Sequence, residues 1–213
     1  MNIKLINKEF SKNRLSVYLE FNISHNFHFI PGQFVLINYK WITRAYSIAS
    51  TLENLKNHKI GFYIKKVSKN WLSKKLVEDI QIWEKIKISS AMWSLIVDYA
   101  YDNYLFVSTW TWLAPFIPII EELQKENKNI TLVHWEKNLD YIPSTVIHKL
   151  HSFQEKHKIY LALSETNKTH IQDYIPSKIP QNTALYLCGN SNMVKDITNK
   201  LSNKVSKVFY EQY

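Results

Sequence analysis

The segment from Leu105 to Phe116 constrains the fold most, because it has the pattern of a strand, a tight loop and a helix start. An apolar run ends in a serine–threonine pair, and Ala-Pro then opens an apolar, helix-periodic stretch. The free N–H groups of a first helical turn and the helix dipole favour an anion, so the segment predicts a phosphate-binding loop. Such a loop would suit glycine at Trp110 and Trp112, because its backbone approaches the ligand closely. Indoles there would block the site.

The rest of the chain divides into two patterns. Six short strands with turn signals within the first 97 residues predict an antiparallel β-barrel. From Tyr104 onward strands alternate with helices, which predicts a parallel sheet with crossover connections. We therefore expect two domains, residues 1–98 and 103–213, with the functional site where they meet.

Composition bounds the class of protein. A hydrophobic content of 46% and a charged content of 21% are those of a folded soluble protein. The N-terminus alternates polar and apolar residues unlike a signal peptide, and no apolar run is long enough to span a bilayer. A cytoplasmic protein without a membrane partner is expected, and we expect it to be a monomer.

Metal chemistry is disfavoured by the sequence. The single cysteine, Cys188, excludes a disulfide framework and a four-cysteine zinc or iron–sulfur site. The eight histidines show no metal-ligand spacing, so no metal site is expected. Any redox chemistry would need a bound organic cofactor or an outside partner.

The net charge of +9 has two interpretations. It could steer an acidic partner to the surface. It could also follow from a lysine-rich, A/T-biased composition, since Arg14 and Arg44 are the only arginines. Nucleic acid is not expected as a partner, because the lysines are scattered and do not interleave with aromatics on one face.

Arg44, Tyr46 and Ser47 place a cation, a flat ring and a hydroxyl at the start of a strand. Residues two apart on a strand face the same side, so this set could clamp a pyrophosphate and stack on a planar heterocycle. From these residues alone, an edge strand with a surface salt bridge is the favoured interpretation.

Four segments in a fixed order change that balance, because together they resemble the ferredoxin–NADP reductase family, most closely its short bacterial flavodoxin/ferredoxin reductases. Arg44, Tyr46 and Ser47 match its arginine-x-tyrosine-serine motif. Leu72 and Ser73 match its FAD pyrophosphate segment. Residues 110–115 match its Gly-Thr-Gly-x-Ala-Pro loop apart from the tryptophans, and residues 188–193 match its Cys-Gly-Asn-Pro-x-Met motif with serine for proline.

The resemblance implies a fold and two cofactors. The fold is a six-stranded antiparallel Greek-key β-barrel followed by a Rossmann-like parallel-sheet domain, in the β plus α/β class. The cofactors are FAD and NADPH or NADH. The expected cofactor-binding residues are Arg44, Ala45, Tyr46, Ser47, Ile64, Lys66, Trp71, Leu72, Ser73, Thr109, Trp110, Thr111, Trp112, Lys137, Ser164, Cys188, Gly189, Asn190, Met193 and Tyr213.

The resemblance also implies roles for individual residues. Arg44 and Ser73 would hold the FAD pyrophosphate, Tyr46 would stack on the flavin and Ser47 would bond near its N5. The catalytic set would be Ser47, Cys188, Glu211 and Tyr213, with Cys188 beside the nicotinamide, Glu211 in a polar network and Tyr213 as a mobile aromatic gate.

The choice of coenzyme is left open by the sequence. Glu165 stands where NADP-specific members often have arginine, and its carboxylate would repel a 2′-phosphate. Lys137, Lys168 and His170 could supply compensating charge, and the overall resemblance favours NADPH.

The function implied is electron transfer from NAD(P)H through FAD to an acidic one-electron carrier, ferredoxin or flavodoxin. A reductase component of an oxygenase or ferric-chelate system, and a non-catalytic scaffold with an FAD-type domain, remain alternatives.

The glycine and tryptophan counts are unusual together. The chain has three glycines, well below the average share of about 7%, and seven tryptophans. All seven tryptophans are predicted to fall in turns or loops that would suit a glycine, and none in a core. We therefore hypothesise that UGA codons read as glycine in the source are written here as tryptophan. A degenerate paralogue that has lost binding is the alternative. The seven positions are Trp41, Trp71, Trp83, Trp93, Trp110, Trp112 and Trp135.

Overall fold

The structure is a computed structural model that describes residues 1–67, 71–93, 95–168 and 170–212, without the side chains of residues 71 and 167. Its strands form two sheets, and its helices pack beside them. The first six strands belong to one sheet and the last five to the other.

The first sheet is antiparallel, in the order β4-β3-β6-β1-β2-β5. The Ala49 N–H donates to the Gly61 carbonyl at 2.8 Å and connects the segment after β4 to β5, across the two edges of the sheet. Inward-facing apolar side chains such as Leu5, Phe21 and Phe62 fill the interior and are fully buried. The strands are β1 (Asn2–Phe10), β2 (Ser16–Asn22), β3 (Phe34–Tyr39), β4 (Ile42–Ser47), β5 (Lys59–Lys65) and β6 (Lys85–Ile88).

Two short helices flank this sheet. Helix α1 (Leu52–Lys56) begins at a capping box in which the Thr51 side chain and the Asn54 side chain each bond the other's backbone N–H. Helix α2 (Trp71–Glu78) buries Leu72 and Leu76 against the barrel interior.

The second sheet is parallel, in the order β11-β10-β7-β8-β9. Alternate residues of its strands enter cores on opposite faces: Phe106 and Tyr186 lie in one core, Leu105 and Leu185 in the other. Its elements are β7 (Asn103–Thr109), α3 (Phe116–Lys125), β8 (Asn129–Glu136), α4 (Ser144–Gln154), β9 (Lys158–Leu163), α5 (Ser164–Asn167), β10 (Thr183–Gly189), α6 (Ser191–Leu201) and β11 (Lys207–Gln212). Short 3-10 turns span Trp110–Leu113, Leu139–Tyr141 and Ile171–Tyr174.

The predicted fold class is confirmed: an antiparallel six-stranded barrel sheet precedes a parallel sheet with helices. The proposed domain boundary near residues 98–103 remains a prediction. The connecting segment packs on the second sheet, because Leu95 and Val97 belong to its core and the Asp98 N–H donates to the Tyr186 hydroxyl at 2.9 Å.

Over the described ranges, no helix combines the length and the apolar character needed to cross a bilayer.

Candidate functional site

A cleft of about 630 Å³ lies between the first sheet and the turn that follows β7, and we call it the central cleft. Its size falls within the range of about 300–1,000 Å³ usual for small-molecule sites. It gathers nine of the cofactor-binding residues expected from the sequence, drawn from four separate segments. Its lining is Ala45, Tyr46, Ser47, Tyr63, Ile64, Lys65, Lys66, Val67, Ser73, Trp110, Thr111, Trp112 and Ala114.

Strand β4 supplies an aromatic ring and a hydroxyl to this cleft, from Tyr46 and Ser47. The Tyr46 hydroxyl is shielded from solvent and has no hydrogen-bond partner within the described ranges. Burial raises the pKa of Tyr46 well above its usual value, and the nearby Arg44 cation opposes that rise only in part. Because the hydroxyl is shielded, the ring of Tyr46 is the part suited to contact a planar ligand in the cleft.

Arg44 does not line the central cleft. Its side chain is exposed, and one guanidinium nitrogen donates to the neighbouring Thr43 carbonyl at 2.8 Å. The structure therefore places this expected pyrophosphate ligand at the surface beside the cleft.

The segment entering α2 forms the next part of the wall. The Ser73 hydroxyl oxygen accepts a hydrogen bond from the Val67 N–H at 3.1 Å, which ties the helix to the end of β5. Lys66 forms an ion pair with Glu78. Leu72 faces away from the cleft into the barrel core, whereas the expected role of the Trp71 side chain lies outside the described part of the chain.

The turn Trp110–Leu113 forms the opposite wall. The rings of Trp110 and Trp112 are 5.6 Å apart, and the Trp110 ring contacts Trp135 edge-on at 5.7 Å, measured between ring centroids. The Lys65 ammonium lies 4.1 Å from the Trp110 ring centroid. Two indoles and one cation thus line the central cleft, and Trp135 supports Trp110 from the side of the parallel sheet.

Lys65 is a site residue that the sequence reasoning missed, and the buried Glu136 carboxylate interacts with it. Burial lowers the pKa of Lys65, with the Glu136 carboxylate opposing this effect. Burial likewise raises the pKa of Glu136, which the cations of Lys65 and Lys137 partly offset. The sequence carried one signal for Lys65. It is the last residue of β5 and lies between Ile64 and Lys66, which were both expected at the site.

A second cleft of about 260 Å³ lies at the carboxyl edge of the parallel sheet, and we call it the edge cleft. Trp110 lines both clefts and therefore stands between them. Thr109 is 5% exposed, and its hydroxyl oxygen lacks a partner among the residues that the structure describes. The lining is Thr109, Trp110, Trp135, His170, Ile171, Gln172, Asn190, Met193 and Asp196.

The Gly189–Met193 segment is packed tightly against this edge. The Asn190 side chain accepts from the Met193 N–H at 2.9 Å and caps α6. A Cβ at Gly189 would lie 2.1 Å from the terminal methyl of Met193 and 3.2 Å from the Thr109 hydroxyl. A larger residue at this position would therefore require the end of the Met193 side chain to move.

A row of polar side chains crosses the carboxyl ends of four neighbouring strands. In register, Cys188 pairs with Ser108 and with Glu211, and Ser108 pairs with His134. The Ser108 hydroxyl and His134 Nδ1 are 2.9 Å apart, and complete burial lowers the pKa of His134 to about 4. Cys188 is 1% exposed within the core, and burial, with a smaller effect of Glu211, raises its thiol pKa.

Lys137 and Ser164 lie next to each other at the ends of β8 and β9, since the Glu165 N–H donates to the Lys137 carbonyl at 2.8 Å. The Lys137 ammonium is 3.8 Å from the Glu165 carboxylate, which also accepts from the Asn138 amide at 2.5 Å. The carboxylate expected to repel a 2′-phosphate is therefore already paired with a cation and a donor.

Two further expectations concern a metal site and the residue Tyr213. Within the described ranges, no group of three or more potential ligand side chains is placed to hold a metal ion. Tyr213, expected as the aromatic gate, lies outside those ranges.

The tryptophans correct one expectation. Trp135 lies inside β8, where it pairs with Thr109, and it packs on the core beneath the edge cleft. Trp112 packs on the other core. The expectation that all seven lie in turns or loops and outside the cores is thus wrong for Trp135 and Trp112, and also for Trp71, the first residue of α2. Trp135 is a strand residue whose side chain points to a helix-covered face of the sheet, and Trp112 packs on the other core from the turn after β7.

The comparisons with known proteins support the fold through similar structures and not through similar sequences. No protein-family model matches the sequence, and no curated protein sequence matches it significantly. The structure is similar to that of a ferredoxin NADP+ reductase from Neisseria gonorrhoeae with bound FAD and NADP, with a TM-score of 0.83, 16% identity, and coverage of 100% of this chain and 98% of that one.

Two other solved structures share this architecture. A ferredoxin-NADP+ reductase from Plasmodium falciparum with 2′P-AMP has a TM-score of 0.77 and 21% identity, over 100% of this chain and 95% of that one. Phthalate dioxygenase reductase has a TM-score of 0.82 and 14% identity, over 99% of this chain and 67% of that one. The chain therefore has the fold of the ferredoxin–NADP+ reductases.

Proposed function

We propose that the protein is an FAD-dependent NAD(P)H oxidoreductase that passes electrons to a small one-electron carrier, ferredoxin or flavodoxin. The observation that carries this proposal is the central cleft, where Tyr46 and Ser47 of the barrel face the Trp110–Trp112 turn of the parallel sheet. Solved structures of the same fold include one with bound FAD and NADP.

The cleft residues fit a flavin. Tyr46 offers a ring to stack on a planar heterocycle, and Ser47 offers a polar contact to the heterocycle edge. Lys66 and Ser73, at the α2 side, would hold phosphate groups. Bound FAD supplies two-electron chemistry toward a nicotinamide and one-electron chemistry toward a carrier.

The edge cleft would hold the nicotinamide nucleotide. Thr109 and Asn190 line it at the place where parallel sheets bind ligands, outside the carboxyl ends of the strands. Lys137 and Ser164 lie further along that edge, on the side proposed for the adenosine phosphate.

Cys188 and Glu211 are proposed to line the hydride-transfer end of the site. Because Cys188 is 1% exposed, the residues that cover it must move before a nicotinamide can contact it. Their role would be to shape the nicotinamide pocket and hold its polar edge.

An oxygenase reductase component is a second candidate, because phthalate dioxygenase reductase, described as a modular structure for electron transfer from pyridine nucleotides to [2Fe-2S], shares the fold. Rates with ferredoxin, flavodoxin and a ferric chelate as acceptors separate these readings. The basic net charge of +9 favours an acidic carrier, whose reduction rate should fall as salt screens the attraction.

Uptake of FAD tests the proposal. The full chain is prepared with its tryptophans and as the double variant Trp110→Gly/Trp112→Gly, and each sample is mixed with FAD, desalted and examined by visible spectroscopy. A retained flavin spectrum in either sample supports the proposed function. Two colourless samples that remain folded by circular dichroism would overturn it.

A further inference from the structure

Three of the seven tryptophans have a backbone conformation that L-residues with large side chains rarely adopt. Trp41, Trp83 and Trp110 have φ values of 69°, 74° and 53°. A bulky residue in this left-handed region is an outlier, because its Cβ crowds the following carbonyl oxygen, whereas glycine adopts it freely.

Trp41 occupies the second position of a two-residue hairpin loop. Strands β3 and β4 pair up to Tyr39 and Ile42, so Lys40 and Trp41 alone form the loop. Both have positive φ, 47° and 69°, which is the pattern of a type I′ turn. Such turns favour Asn-Gly, with glycine second. The Trp41 side chain is 98% exposed and gains little from packing.

Trp83 occupies the third position of a β-turn. The Glu84 N–H donates to the Gln81 carbonyl at 3.0 Å, and Trp83 has a φ of 74°. A positive φ at the third residue is what a type II turn requires, and glycine is the usual residue there. The indole is 62% exposed and contacts the Lys4 ammonium at 4.5 Å from its ring centroid.

Trp110 combines the same conformation with a position that obstructs the site. Its indole separates the central cleft from the edge cleft and rests on Trp112 and Trp135. Its ring nitrogen is shielded from solvent without a hydrogen-bond partner in the described ranges. A glycine at this position would remove the wall and join the two clefts.

We infer that the working protein has glycine at positions 41, 83 and 110, and that the two clefts then form one continuous groove for a dinucleotide. The first part depends only on the backbone, whereas the second rests on the proposed function. A single codon, UGA, decoded as glycine in the source, would account for all three positions. In contrast, Trp135 has a strand conformation and does not share the backbone signature.

The gene provides one test. UGA at all three of these positions supports the inference, and UGG at any of them overturns it.

Paired substitutions provide a test that is independent of ligand binding. At positions 41 and 83, Trp→Gly is compared with Trp→Ala, because both remove the indole but alanine keeps the Cβ that the positive φ disfavours. We expect each glycine variant to melt about 2–4 °C above its alanine partner. Position 135 is the matched control: in a strand, Trp135→Ala should be at least as stable as Trp135→Gly. Alanine variants as stable as the glycine variants at 41 and 83 would overturn the inference.

The groove is tested with FAD and NADP+ as probes. Trp110→Gly should bind each at least about tenfold more tightly than the chain with Trp110, and Trp110→Ala should fall between them. Equal binding to all three would overturn the inference about the groove. A failure of every variant to bind FAD would count against the proposed function, while the melting comparison would still decide the backbone inference.

Discussion

The Lys65 ammonium lies 4.1 Å from the centroid of the Trp110 ring, and this contact connects the last residue of β5 in the antiparallel sheet to the turn after β7 in the parallel sheet. The two sheets thus meet at the candidate site through a cation and an aromatic ring. The contact stabilises the present arrangement, although the same indole closes the passage between the clefts.

This contact predicts a measurable coupling between Lys65 and Trp110. In a double-mutant cycle of Lys65→Met and Trp110→Gly, we expect a coupling of about 0.5–1 kcal/mol in the free energy of unfolding, because a partly buried cation over an indole has roughly that value. Denaturant titration of the four proteins measures it. Additive effects of the two substitutions would contradict the contact.

The burial of His134 predicts an acid-sensitive fold. Its pKa falls from 6.5 to about 4, so the unfolded chain binds a proton between these values while the folded chain does not. Stability from this group is therefore complete above pH 6.5 and declines as the pH falls toward 4. By linkage the total loss is about 3 kcal/mol.

The measurement is the free energy of unfolding as a function of pH for the parent and for His134→Gln. We expect a flatter dependence in the variant between pH 6.5 and 4. The exposed residue His151 on α4 provides the control, as His151→Gln should retain the parent slope. If the free energy of unfolding of His134→Gln depended on pH as steeply as that of the parent, the lowered pKa of His134 would be contradicted.

Gly189 predicts a packing conflict that depends on one neighbour. Gly189→Ala would place its methyl 2.1 Å from the Met193 terminal methyl, so Met193 must move. We expect a loss of about 1 kcal/mol in the free energy of unfolding, at the low end for an overpacked site, because the obstructing group is the end of a flexible side chain. In a Met193→Ala background the same substitution should cost less, because the obstructing group is gone. An equal cost in both backgrounds would show that Met193 is not the cause.

Much of this architecture could be predicted from the sequence. The apolar run after the Pro31-Gly32 turn predicts a strand over Phe34–Tyr39, and β3 has these bounds. The confirmed change from antiparallel to parallel pairing follows from the change in hydrophobic period after residue 97. The strand β11 (Lys207–Gln212) was not predicted, because only its pairing with β10 forms it and that pairing is not visible in the local pattern.

The site was predictable in its segments but not in its contacts. Tyr46, Ser47 and Ser73 converge on the central cleft as the motifs indicated. Arg44 instead faces solvent. The spacing of residues along β4 could not predict this, because it does not show that β4 lies at the edge of the sheet. Lys65 was missed for a related reason, since its importance arises from the approach of a second sheet.

Tyr46 predicts different results for two substitutions. Tyr46→Phe retains the ring and removes a buried hydroxyl that has no partner in the described structure, so FAD affinity should change little. Tyr46→Ala removes the stacking surface, and we expect FAD binding to weaken by about tenfold. Fluorescence titration with FAD measures both. Equal weakening by the two variants would indicate a role for the hydroxyl instead of the ring.

The most direct test of the proposed function is anaerobic reduction of the FAD-loaded protein by NADPH and, separately, by NADH. The Trp110→Gly/Trp112→Gly variant is loaded with FAD, mixed with each coenzyme in a stopped-flow instrument, and followed through the visible flavin band. We predict rapid bleaching by at least one coenzyme, with NADPH the faster, followed by recovery of the band when oxidised flavodoxin or ferredoxin is added. A flavin that binds but is bleached by neither coenzyme would contradict the account.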